Sequence, residues 1–208
     1  MEKIDLKKQL KQFYSPSTRE VAVVDVPEMN FLMIDGEGNP NTAKCYKDAV
    51  AALFSVSYTL KFLLKKGGSA NIASTVDYGV MPLEGLWWMN EGTPFQVEDK
   101  DAWKWTVMIM QPVYVTRELF EEARSNVSKK KDLSALAHMR FTALHEGPSV
   151  QIMHIGSYAQ EGPTVAKLHA FIEANNWKLR AKHHEIYLKD ATRTAPERLQ
   201  TIIRQPFA

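Results

Sequence analysis

The stretch HHEIYLKDATRTAPERLQTIIRQPF, residues 183 to 207, decides the fold. Two runs rich in β-branched and aromatic residues, HHEIYLKD and RLQTIIRQPF, flank a turn-forming segment and read as two strands. The end of the stretch echoes an earlier one: LQTIIRQP at 199–206 sets against WTVMIMQP at 105–112. Working backward from each gives the same order of elements. Ahead of the later strand stand a strand in SVQIMHIGSY ending near Gly156, a helix in GPTVAKLHAFIEANNW with Val165, Leu168, Phe171 and Ile172 on its buried side, and HHEIYLKD. Ahead of the earlier one stands VAVVDVPEMNFLMIDGEG, one long strand from Val21 to Ile34 that breaks or bulges near Pro27 and stops at Gly36 and Gly38. A helix follows, capped by Asn41 or Thr42, with Tyr46, Val50, Leu53, Val56, Leu60 and Leu64 at helical spacing, and Gly67-Gly68 ends it near Lys66. STVDYGVMPLEGLWW and WKWTVMIMQPVYV then form a hairpin about a charged turn at Glu98 to Asp101.

A strand-helix-strand-strand unit used twice predicts an α+β fold: an antiparallel sheet with two helices on one face and a ligand cleft on the other. The pseudo-repeats cover about 21–115 and 147–208 of a single domain, 21–208. Residues 116–140, helix-favouring and interrupted by Lys129 to Lys131, read as two connecting helices. Residues 1–20 read as a polar arm with one amphipathic turn around Leu6, Leu10 and Phe13, ended by Ser15-Pro16.

The bulk properties narrow the partners. Hydrophobic residues make up 45% of 208, ample for a core. With 26 basic against 24 acidic residues, no strong field draws the chain to nucleic acid or an anionic membrane. The most apolar segment, Ala49 to Leu64, contains Ser55, Ser57, Thr59 and Lys61 and is too short for the roughly 20 apolar residues of a spanning helix. The N-terminus lacks the features of a secretory signal, and the single cysteine, Cys45, allows no internal disulfide, so the expected compartment is the cytoplasm.

In HHEIYLKD a period of two puts His184, Ile186 and Leu188 on one face and His183, Glu185, Tyr187 and Lys189 on the other. The face with Ile186 and Leu188 should meet the helices, so Glu185 and Tyr187 point together toward the opposite surface, the cleft. A carboxylate beside a phenol attracts a cation, orients a water or shuttles a proton. An ordinary half-buried strand alternates in the same way, so the pattern leaves both readings open. Aromatic residues crowd neighbouring strands, Tyr78, Trp87, Trp88, Trp103, Trp105 and Tyr114, and such side chains line sites for planar or cationic ligands as well as cores. Trp87 and Trp88 face opposite sides, so one of them at most serves a pocket. No metal site is expected: the helical pair His169 and Glu173 has no third ligand at a recognisable spacing. Cys45 reads as a small buried or half-buried helix residue. There is no phosphate-cradling glycine loop and no nucleophile elbow, and no cofactor is expected.

HHEIYLKDATRTAPERLQTIIRQPF, together with VPEMNFLMIDGEGNPN and PLEGLWW, resembles the GyrI-like small-molecule-binding family over most of the chain from about Val21. The resemblance implies a duplicated strand-helix-strand-strand fold and an aromatic-lined cleft for hydrophobic, often cationic, compounds. The acidic residue of that cleft matches Glu185, with Tyr187 in the same motif, and Tyr78, Trp87 and Trp105 are the aromatic candidates beside them. No DNA-binding head is expected ahead of the domain, so the chain resembles the stand-alone branch. That branch includes hydrolases that open the strained cyclopropane of DNA-alkylating natural products, which would make Glu185 and Tyr187 catalytic. The alternative is a non-catalytic module that sequesters ligands or contacts a protein, as gyrase-inhibiting and multidrug-responsive relatives do.

Overall fold

The repeated order of elements is found in the computed structural model, which describes residues 3–70, 72, 74–90 and 99–208. Strands run over Lys3–Ile4 (β1), Ala22–Val26 (β2), Met29–Glu37 (β3), Asp77–Tyr78 (β4), Leu83–Trp88 (β5), Lys104–Gln111 (β6), Arg140–Leu144 (β7), Gly147–Ile155 (β8), His183–Tyr187 (β9) and Gln200–Pro206 (β10). The α-helices are Leu6–Gln9 (α1), Lys11–Tyr14 (α2), Lys44–Lys66 (α3), Arg117–Ser128 (α4) and Gly162–Ala174 (α5). The fold is α+β, and the strand-helix-strand-strand order recurs as β3-α3-β5-β6 and β8-α5-β9-β10. No helix among the described residues is long and apolar enough to cross a membrane.

The chain forms two units. The first comprises Met1–Leu6, Met29–Met81 and Met89–Leu144, and the second Lys7–Glu28, Pro82–Trp88 and His145–Ala208.

In the first unit β3 lies between β6 and β7, antiparallel to both, with Leu32 opposite Ile109 on one side and Phe141 on the other. Phe31 to Ile34 and Trp105 to Gln111 are buried without interruption, so these strands read as continuous apolar runs rather than alternating ones. Helix α3 buries Ala49, Leu53, Val56, Leu60 and Leu64 along one stripe. Gly67 ends it with φ +63°, its N–H returning to Leu63 O, a left-handed position that glycine adopts without penalty. The start differs from expectation. Asn39 closes the turn there, its carbonyl accepting from the N–H of Thr42 and Ala43 and its side chain from that of Asn41, and Ala43 is the cap. Cys45 is exposed rather than buried or half-buried, one turn before the first buried residue.

Two further expectations are corrected in this unit. The second connecting helix is one 3-10 turn, Ser134–His138, and the chain after it is strand β7, because Phe141 finds a partner strand in β3. STVDYGVMPLEGLWW divides at Met81-Pro82, where proline supplies no ladder N–H. Its first part, β4, pairs in parallel with β1 in the first unit, and its second part, β5, belongs to the second unit. The expected turn at Glu98 to Asp101 begins outside the described residues.

In the second unit the strand order is β2-β8-β10-β9-β5, every neighbour antiparallel. Helix α5 seats Leu168 and Ile172 on Val150, Ile152 and Ile203, with Phe171, Trp177 and Phe207 around them. The N-terminal segment is packed rather than solvated: Phe13 and Tyr14 of α2 are 3% and 4% exposed. The strand expected to break or bulge near Pro27 breaks there, giving Ala22–Val26 and Met29–Glu37. Pro27 and Glu28 leave the ladder, so β2 pairs with β8 in the second unit and β3 with β6 and β7 in the first.

Candidate functional site

Glu185 stands at the middle of β9, opposite Gly85 of β5 and Ile203 of β10. Directly opposed residues of an antiparallel pair share a face. Glu185 therefore shares a face with Ile203, on which α5 is seated. This reverses the expectation that the Ile186 face would meet the helix. The alternation itself is as read, with His184 and Ile186 buried and His183, Glu185 and Tyr187 half-buried. What decides the face is β10, where Ile203 takes the helix side and Arg204 the other, and a strand read in isolation carries no sign of its neighbour's register.

The local geometry around Glu185 rests on Gly85. A Cβ there would lie 2.8 Å from Trp87 Nε1 and 3.0 Å from two carbons of the indole, so only glycine lets that ring fold back along the strand beside the carboxylate. Trp87 Nε1 then donates to Tyr187 Oη at 3.1 Å, and Tyr187 Oη donates to Glu185 Oε2 at 2.8 Å. His183 Nε2 stands 3.3 Å from the other carboxylate oxygen. The Glu185 side chain is 13% exposed and that of His183 12%. Tyr158, just before α5, meets the Tyr187 ring edge-on at 5.5 Å. Burial, followed by the charges of Glu161, Glu185 and Asp190, pushes the Tyr158 hydroxyl up to about 12. His169 of α5 is held below the usual histidine range by burial and then by His183. The arrangement is a phenol and an imidazole against one partly accessible carboxylate, with an indole and a second phenol against the first phenol and a second imidazole near the first. It can receive a cation at Glu185, or hold a water there for deprotonation.

Among the residues singled out in the sequence, Trp87, Glu185 and Tyr187 come together here. Trp88 lies on the opposite side of its strand, with the Lys182 ammonium 3.1 Å from its ring centre. Tyr78 and Trp105 belong to the first unit, each 1% exposed. Trp105 donates its N–H to Gly38 O at 3.2 Å and packs on Gly36, where a Cβ would fall 2.1 Å from the ring. Tyr78 meets Tyr114 edge-on at 5.6 Å, and its hydroxyl has no hydrogen-bond partner among the described residues.

Sequence reasoning missed a second constellation, on the other face of the same strands. His184, fully buried, places Nδ1 2.8 Å from Glu146 and Nε2 3.0 Å from Glu84. Arg204, 2% exposed, donates to Glu146 at 2.8 Å, to Gln151 at 3.0 Å and to the carbonyl of Phe13 at 2.7 Å. Tyr14 donates to Glu84 at 2.8 Å, and Gln151 to the Gln12 carbonyl at 2.7 Å. Two cations face two carboxylates, so the cluster is neutral and every charge in it is paired. Burial alone would lower the His184 pKa, but Glu146 and Glu84 override it and raise it; Glu146 is held down by His184 and Arg204 against the effect of its own burial. With both imidazole nitrogens facing carboxylates, the residue is an imidazolium. The signal for this cluster was present as charged residues at inward positions, His184 beside Ile186 and Arg204 after Thr201-Ile202-Ile203. Such residues demand partners, but 14, 84, 146, 184 and 204 are joined only by the tertiary fold.

Comparison with known proteins adds the context. The GyrI-like small molecule binding domain model matches residues 19–207. A solved structure of an uncharacterized conserved protein from Listeria innocua is 40% identical, with TM-score 0.90 over 99% of this chain and 100% of that one. A hydrolase from the same organism is 38% identical, with TM-score 0.86 over 99% and 100% of the two chains. The C-terminal domain of EcmrR shares the fold at 10% identity and TM-score 0.53, over 91% of this chain and 97% of that domain. No curated protein matches the chain.

Proposed function

This chain belongs to the GyrI-like small-molecule-binding domain family, and we propose that it binds planar hydrophobic molecules, cations among them, against the carboxylate of Glu185. The observation that carries this reading is the hydrogen-bonded line from Trp87 through Tyr187 to Glu185. It holds a partly accessible carboxylate beside a phenol that the N–H edge of a buried indole positions, a grouping that attracts a cation by charge and by its aromatic neighbours.

The enzymatic form of the same reading is hydrolysis of a strained electrophile such as an activated cyclopropane, and the 38% identical hydrolase from Listeria innocua supports it. Glu185 would take a proton from a bound water as the water oxygen bonds to a ring carbon. The bond from that carbon to the neighbouring ring carbon breaks, its electron pair passing through that neighbour to the electron-withdrawing group conjugated with it, which is then protonated. Tyr187 and His183, both in contact with Glu185, would orient the base and carry the proton onward.

Titration with a planar cation followed by tryptophan fluorescence tests binding. Quenching is expected, with roughly tenfold or greater weakening in Glu185→Gln, the order of a lost charge-assisted contact; unchanged affinity in that variant removes Glu185 from the site. Incubation with a cyclopropane-containing alkylator, read by mass spectrometry, tests catalysis. The ring-opened water adduct should form faster than in buffer and at the buffer rate with Glu185→Gln; a buffer rate with the unaltered protein discards hydrolysis of that substrate.

A further inference from the structure

Glu185 is not an isolated anion, since His183 Nε2 lies 3.3 Å from its Oε1 and Tyr187 occupies Oε2. Among the described residues, the titratable and charged groups about this face are Tyr187, Tyr158 and His169, with Glu161 and Asp190 acting on Tyr158. Strand β5 presents Leu83, Gly85 and Trp87 to it, and β10 presents Thr201, Ile203 and Gln205, none of them charged. Helix α5 presents His169, close enough for the charge of His183 to act on it. Lys182, the residue before, directs its ammonium over Trp88. The pair His183 and Glu185 is therefore neutral when the imidazole is protonated and carries one negative charge when it is not.

We infer that His183 is the proton-linked counter-ion of Glu185 and sets how strongly the site selects charge, favouring cations over neutral planar molecules of the same shape as pH rises. The inference rests on the proposed binding at Glu185. A ligand cation and an imidazolium compete for one carboxylate, so cation binding expels the His183 proton. Linkage then requires cation affinity to climb by up to tenfold per pH unit as that proton is lost. A neutral ligand of the same shape has no charge to compete and gains no such slope.

The probes are 10-methylacridinium and 9-methylanthracene, one cationic and one neutral on the same three-ring frame. In the unaltered protein, acridinium affinity should rise about tenfold or more from pH 5 to pH 8, while methylanthracene affinity stays within about twofold. Calorimetry at pH 6 in buffers of differing protonation enthalpy should find proton release on acridinium binding and none with methylanthracene. His183→Gln should flatten the acridinium profile, and His169→Gln should preserve it. A profile of unchanged slope in His183→Gln, or one flattened by His169→Gln, overturns the assignment to His183. Absence of proton release from the unaltered protein overturns it without reference to any variant. If Glu185→Gln binds acridinium as tightly as the unaltered protein, the reading of the site fails and this inference with it.

Discussion

Replacing Arg204 by methionine removes one of the two cations in the buried cluster while keeping most of the side-chain volume. Three hydrogen bonds disappear, to Glu146, Gln151 and the carbonyl of Phe13. Glu84 and Glu146 are then left with His184 alone, so a neutral cluster acquires one uncompensated negative charge in a region where Arg204 and Glu146 were 2% and 6% exposed. Breaking a buried pair from one side costs about 3–5 kcal/mol, a large share of the roughly 5–15 kcal/mol of a typical domain. At about 2–4 °C per kcal/mol for a chain of this size, the midpoint should fall by roughly 6–20 °C. Urea denaturation followed by far-ultraviolet circular dichroism measures the loss directly. The N-terminal segment should also loosen, because Phe13 O loses its donor, and faster amide exchange at Phe13 and Tyr14 would report it. Adding Glu146→Gln to Arg204→Met should recover part of the stability by removing the stranded charge. A loss below about 1 kcal/mol would refute the claim that this cluster is desolvated and interdependent.

Stability should also depend on pH in a manner set by the same groups. His184 is raised to about 9 in the folded protein, because Glu146 and Glu84 outweigh its burial; its contribution is fully present below about pH 6.5, declines as pH rises to about 9, and is of order 3 kcal/mol. Glu146 is held at about 2, so its contribution is present above about pH 4.5 and is lost as pH falls toward 2. Melting midpoints from pH 3 to 10 should peak between about 5 and 6.5, and a midpoint still rising at pH 9 would contradict the imidazolium assignment. Gly85→Ala should displace the Trp87 indole, shift its emission and weaken ligand quenching by roughly tenfold, since overpacking costs about 1–3 kcal/mol; unaltered emission would show that the ring does not lie over Gly85. Tyr187→Phe should loosen Glu185 and reduce affinity severalfold while leaving the fold intact by circular dichroism; an affinity equal to that of the unaltered protein would remove the phenol from the site.

The sequence carried the order of elements and the alternation of β9, because those depend on period and local composition. It also brought Trp87, Glu185 and Tyr187 forward together, through the motif shared with the GyrI-like family. It did not carry which face of β9 meets α5. That is fixed by Ile203 opposite Glu185, a register relation between strands separated by a turn and a 3-10 segment. Nor did it show that Leu83–Trp88 joins the second unit while the residues on either side of it join the first, since strand partners are chosen by tertiary fit. The packing of residues 7–28 was hidden for a further reason: the polar side chains that suggested a solvated arm lie beside Phe13 and Tyr14, and the arm is fastened by backbone carbonyls that any sequence possesses.

The position of a bound planar cation tests the central claim most directly. A crystal structure of the protein with 10-methylacridinium should place the ring system in contact with Trp87 and Tyr187 and its charged nitrogen within about 5 Å of the Glu185 carboxylate, close enough for direct attraction. A ligand ordered elsewhere, with Glu185 still held between Tyr187 and His183, would contradict the account.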